Sequence, residues 1–161
     1  MSKKSGLPPP GNTRRPGQFK KKELDVQALL VKTVRDMGGF AYKLSNRFKV
    51  GVLDLLVQLP PYPTVLIEVK CPITPVHVAI PVALTAQQRR FMRDYQWAGG
   101  YAGWLVVAQC TRGGRFMMYT GTDPTVTVID FGTHQNVGVY EKKYLRANVR
   151  LMVKLLQEHH P

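Results

Sequence analysis

The chain is poor in cysteine and in acid. Two cysteines in 161 residues, Cys71 and Cys110, cannot make a disulfide scaffold, and they lack metal-site spacing. No apolar run reaches the about 18 residues of a membrane span. The basic N-terminus is not followed by an apolar stretch, so no secretory signal is expected. The four histidines (His77, His134, His159, His160) show no zinc spacing. Ser/His/Asp arrangements and glycine-rich phosphate loops are missing, and Gly113-Gly114 reads as a turn. No internal repeat is visible. The expectation is one intracellular, cytoplasmic domain with appendages.

Ten acidic residues face 23 Lys and Arg, a formal charge of +13. Such an excess raises self-repulsion and is explained most simply by a polyanionic partner, with nucleic acid the first candidate. An anionic membrane surface or a basic ribosomal-type protein is the alternative. Apolar residues make up 44%, enough for a core.

The charge is uneven. Residues 1–22 hold seven basic residues, four prolines and no acid. They read as a disordered basic arm that reaches phosphates, or equally as a solvated tail or localisation signal.

After the arm, Val26, Leu29, Leu30, Val34 and Met37 fall at helical spacing, and Gly38-Gly39 stops the run. Short strands are expected over 40–44, 51–59 and 64–69. The last two are joined by Pro60-Pro61-Tyr62-Pro63, which makes them antiparallel neighbours. A proline-bearing loop covers 71–81. A second helix starts near Thr85, a plausible N-cap, and ends at Gly99-Gly100. Leu84, Gln88, Phe91, Met92 and Tyr95 share one face of it. A buried strand follows over 103–109. Strands over 115–120 and 125–131, split by a turn, and a helix over 144–157 complete the chain. The order α-β-β-β-α-β predicts an α/β fold, a mixed central sheet flanked by helices, with a C-terminal β-hairpin and helix. The expected units are the arm 1–22, a core 23–110 and an extension 111–161.

The chemistry sits on the hairpin. Asp54 interrupts the apolar run Val52-Leu53-Asp54-Leu55-Leu56-Val57, and Ile67-Glu68-Val69-Lys70 closes the next strand. Alternation places Glu68 and Lys70 on one face, and Asp54 can point there too. Two carboxylates on an apolar sheet are costly unless compensated, and a hard divalent cation compensates them, magnesium or manganese. A water activated beside Lys70 is then placed to attack a phosphodiester in line. The alternative is a structural Asp/Glu–Lys salt-bridge cluster.

The pattern Asp54 … Glu68-Val69-Lys70 resembles the PD-(D/E)XK nuclease signature, and the stretch 23–109 resembles a VRR-NUC domain. Four segments carry the likeness: Glu23 with Val26-Gln27; Lys49-Val50-Gly51-Val52-Leu53-Asp54; Ile67-Glu68-Val69-Lys70; and Leu84-Thr85-Ala86-Gln87-Gln88 with Phe91 and Gly99. Leu53 stands where that family usually has proline, and Val50 where it usually has a basic residue. The resemblance implies metal binding by Asp54 and Glu68, with Glu23 completing the shell directly or through water. It implies that Lys70 orients or activates the attacking water or stabilises the transition state. Gln88 would touch the water, Lys70 or the scissile phosphate, and Gln87 is one register slip away. DNA contacts are expected from Lys43, Arg47, Lys49, Arg89 and Arg90, with Arg93 on the same helix; a solvated surface is the alternative for each. The implied activity is a Mg2+- or Mn2+-dependent endodeoxyribonuclease acting on branched DNA such as four-way junctions. It is expected to be homodimeric and from a phage or bacterium, in repair or recombination. A DNA-end exonuclease, a restriction-type nuclease and an inactive DNA-binding module are the alternatives.

Overall fold

The computed structural model describes residues 17–44, 51–72, 79–109, 115–130 and 135–158. Its spine is a six-stranded mixed sheet. In chain order the strands are β1 (Phe40–Lys43), β2 (Leu55–Gln58), β3 (Val65–Lys70), β5 (Tyr101–Gln109), β6 (Phe116–Gly121) and β8 (Gln135–Val139), and they lie side by side in that order. All neighbours are antiparallel except β3 and β5, which run parallel. A parallel pair needs a crossover, and here the crossover carries helix α2 (Ala86–Trp97). A separate pair, β4 (Ala79–Pro81) with β7 (Val128–Asp130), is antiparallel.

Two helices, α1 (Gly17–Asp36) and α3 (Lys142–Glu158), cover one face of the sheet. Val26, Leu30 and Val34 from α1 join Leu145, Val149, Met152, Val153 and Leu156 from α3 over Leu55, Val57, Val65, Ile67 and Val69. On the other face, Met92 of α2 packs with Trp104, Leu66, Ile80 and Ile129. The result is an α/β sandwich of three layers with a core on each side of the sheet. Because both faces are covered, β3 and β5 are buried almost throughout. Among the described residues no helix is long and apolar enough to cross a membrane.

Most expected elements appear near their expected bounds. Helix α1 starts at Gly17, within the segment read as a disordered arm, so its last residues are helical; residues 1–16 lie outside the described residues. The expected 51–59 strand is shorter and begins at Leu55, which leaves Asp54 just ahead of it. The ladder still reaches Asp54, whose carbonyl accepts from Leu44 N at 2.8 Å.

The C-terminal β-hairpin takes a different form. Strand β7 does not return along β6 but pairs with β4, inside what the sequence presented as a loop. The physical reason lies at the turn. Asp123 Oδ1 accepts from the Thr125 backbone N–H at 2.7 Å and turns the chain away from the sheet. The Arg89 guanidinium then donates to the carbonyls of Val82, Pro124 and Val126, which clamps the β4 and β7 approaches to α2. The place beside β6 goes to β8, a polar, glycine-bearing segment with a register shift at Met118/Tyr119. Gly121, at the end of β6, lies against the Trp104 ring, where a Cβ would come within 2.4 Å. The Gly113-Gly114 turn lies outside the described residues.

Candidate active site

The C-terminal end of β3 is the meeting point of α1, the β1–β2 side of the sheet and the N-terminus of α2. Alternation along β3 sends Val65, Ile67 and Val69 toward α1 and α3 and Glu68 toward α2. Glu68 is 1% exposed, a fully buried carboxylate. Its Oε1 receives Lys70 Nζ at 2.7 Å and Gln88 Nε2 at 2.5 Å. Its Oε2 is buried and has no hydrogen-bond partner.

Asp54 reaches the same strand end from β2. Its Oδ2 accepts from the Val69 backbone N–H at 2.9 Å, so the carboxylate is tied to the residue between Glu68 and Lys70. Gly51 helps to place it. With φ at +97° and a Cβ that would meet Gln87 Cβ at 2.5 Å, this position suits only glycine. The turn leading to Asp54 therefore docks directly on the start of α2.

Glu23 arrives from α1 on the other face. Its Oε1 accepts from the Cys71 backbone N–H at 3.2 Å, one residue beyond Lys70. One turn further along α1, Gln27 is 3% exposed, and its amide beside Asp54 favours the charged carboxylate.

Gln88 is oriented by helix capping. Its Oε1 accepts from the Thr85 backbone N–H at 2.9 Å, and its own N–H donates to Thr85 Oγ1 at 3.2 Å. This capping box fixes the amide oxygen toward the helix start. The amide nitrogen then has to face Glu68.

Burial dominates the electrostatics. Loss of solvation raises the Glu68 carboxyl to about 7, with the Asp54 charge adding to the rise and Lys70 opposing it. Asp54 is raised by burial, against the Val69 N–H and the positive charges of Lys70 and Lys43. Glu23 is raised for the same first reason and opposed by the Cys71 N–H. Three acids that all resist ionisation at one strand end are an electrostatic frustration that a cation relieves.

Several expected residues thus converge: Glu23, Asp54, Glu68, Lys70 and Gln88 are joined by bonds or charge, and Lys43 on β1 adds an attractive charge to Asp54. The register slip to Gln87 is excluded, since Gln88 holds Glu68. Among the described residues, however, no group of three or more His, Cys, Asp and Glu stands ready to hold a metal ion. One oxygen each of Glu23, Asp54 and Glu68 accepts from a donor of the chain. The orphaned Glu68 Oε2 and the all-oxygen donor set nevertheless fit a hard divalent ion.

The expected DNA-contact residues divide. Arg47 and Lys49 lie outside the described residues. Arg89 faces inward onto three carbonyls, as described, and so does not share the exposed face of α2. Arg90 and Arg93 do, each 3.6 Å from Asp94. Sequence reasoning named Gln27 only within the Glu23 segment and gave it no role, whereas the structure buries it one helical turn from Glu23. Its signal was present: a glutamine four residues after Glu23 shares that residue's helix face.

No family model and no curated protein matches the chain. Among solved structures it is similar to Hjc, a Holliday junction resolvase from the archaeal hyperthermophile Archaeoglobus fulgidus. That likeness has a TM-score of 0.44 and 14% identity, covering 71% of this chain and 91% of that one.

Proposed function

We propose that the chain is a divalent-metal-dependent endodeoxyribonuclease of the PD-(D/E)XK type, VRR-NUC branch, acting on branched DNA. The observation that carries this reading is the meeting of Asp54, Glu68 and Lys70 at one strand end, with Asp54 bonded to the backbone between the other two. A structural salt bridge needs one carboxylate for one ammonium. Here a second, half-buried acid lies beside the pair and a buried carboxylate oxygen is left unpartnered, an arrangement that costs stability and suits a cation.

Asp54 and Glu68 would hold Mg2+ or Mn2+, with Glu23 completing the shell directly or through water. When bound, the ion neutralises charge that develops on a phosphodiester. Lys70 Nζ, whose side chain is 16% exposed, donates toward Glu68 and is placed to orient an attacking water or a phosphate oxygen. Gln88 Nε2 holds the Glu68 carboxylate so that its second oxygen stays directed. Lys43 and Arg90 supply exposed positive charge for the DNA backbone, in keeping with the net +13. The preference for branched DNA rests on the resemblance of the four sequence segments and on the lack of a base-reading motif. A homodimer in the cytoplasm of a bacterium or phage-infected cell completes the proposal, since paired cuts across a junction call for two sites related by a two-fold axis.

The test is cleavage of linear, flap, three-way and four-way DNA with Mg2+, with Mn2+ and with EDTA. Metal-dependent cutting of branched substrates that disappears in Asp54→Ala and Lys70→Ala, with DNA binding retained, is expected. Cutting that persists in EDTA, or that needs free ends, overturns the reading.

A further inference from the structure

Among the described residues only two buried side-chain atoms have no hydrogen-bond partner, Gln27 Oε1 and Glu68 Oε2. Both belong to side chains that act on the charge of Asp54: the Gln27 amide favours it and Glu68 repels it. A buried acceptor without a donor is destabilising, so two around one carboxylate require a reason. The neighbouring donors of the chain serve other oxygens. Val69 N–H goes to Asp54, Cys71 N–H to Glu23, and Lys70 and the Gln88 amide to Glu68 Oε1. Against three carboxylates the cluster sets Lys70 and Lys43, and no donor reaches the two orphaned oxygens. A hydrated divalent cation brings both positive charge and donors.

We infer that Gln27 is a positioning residue of this site: its buried Oε1 accepts a hydrogen bond from water in the hydration shell of a cation held by Asp54 and Glu68. The inference rests on the metal-dependent reading above. A glutamine with only a packing role would be replaceable by an apolar side chain of like shape, at no cost to metal affinity. A ligand-supporting role is different, because the partners around a metal's ligands typically carry 10–100-fold in affinity. The spacing agrees, since Glu23 and Gln27 are one helical turn apart on α1 and both face the carboxylate cluster.

The decisive measurement uses the unaltered chain. Its side-chain amide 15N–1H signals are followed by NMR as Mg2+ is added, with Gln27 assigned by the signal lost in Gln27→Met. The Gln27 signal is expected to shift on saturation. The Gln96 signal, whose amide is fixed on the carbonyls of Ala102 and Thr122 away from the site, is expected to stay. Calorimetry with Mn2+ is expected to show about tenfold weaker binding by Gln27→Met than by the parent. A Gln27 signal unmoved by saturating Mg2+ overturns the inference, whatever the variant does. If the parent binds neither ion in calorimetry, the metal-dependent reading itself falls. If the parent binds and Gln27→Met binds equally well, only the role of Gln27 falls.

Discussion

Gln88 holds Glu68 with one end of its amide while the other end caps its own helix: Nε2 lies 2.5 Å from Glu68 Oε1, and Oε1 lies 2.9 Å from the Thr85 backbone nitrogen. The start of α2 and the key carboxylate of β3 are thereby one unit. Gln88→Ala removes both bonds. It is expected to lower stability by about 1 kcal/mol through the lost cap and to reduce cleavage by at least tenfold. Gln88→Glu keeps a capping-box side chain but sets a second carboxylate against Glu68. Its melting temperature in urea-free buffer at pH 5 is expected to stay near the parent's while cleavage at neutral pH falls. Paired thermal melts and cleavage rates check this.

The raised Glu68 carboxyl makes stability depend on pH. An acid whose folded value lies above its unfolded value binds its proton more tightly when folded, so folding is favoured while it is protonated. The contribution is complete below 4.5 and is lost as pH climbs to about 7. Glu23 and Asp54 shift in the same direction. For Glu68 the loss is on the order of 3 kcal/mol. Denaturant unfolding of the metal-free chain is therefore expected to show a fall in stability, relative to Glu68→Gln, between pH 4.5 and 7. Adding Mg2+ is expected to restore more stability at pH 8 than at pH 5.

Arg89 and Arg90 are neighbours in sequence with opposite fates. Arg89→Ala leaves three carbonyls without their donor and is expected to lower stability by roughly 2–3 kcal/mol. Arg90, 78% exposed, is expected to leave stability unchanged on mutation to alanine. If Arg90 meets a phosphate, its loss reduces the salt dependence of DNA binding by about one unit of log–log slope. Unfolding curves and a salt titration of DNA affinity separate the two residues.

Cys71 lies against the site yet is 4% exposed, and burial pushes its thiol up to about 12. A thiol that stays protonated is a poor nucleophile. In a Cys110→Ser background, maleimide labelling of Cys71 at pH 8 is expected to be at least a hundredfold slower in the native chain than in denaturant. Rapid labelling of the native chain would show that the strand end is open.

Local pattern settled much of this molecule. Period-3.6 hydrophobicity marked α1, α2 and α3, and unbroken apolar runs marked β3 and β5, because each buries apolar surface whatever its partner. Asp54 and the Glu68–Lys70 pair stood out for the same reason, as charges where the pattern demands apolar side chains. The chain could not announce its pairings. Strand β7 carries an ordinary strand signal, and its union with β4 follows from the local Asp123 turn and from the Arg89 clamp, whose bonds to Pro124 and Val126 span 35 and 37 positions. Strand β8 gave too little apolar signal to be read, since its neighbour β6 and helix α3 supply the burial. The same holds at the site. Composition and spacing chose the carboxylates, but their anchoring belongs to backbone N–H groups at Val69 and Cys71, which every non-proline residue carries and which only folding directs.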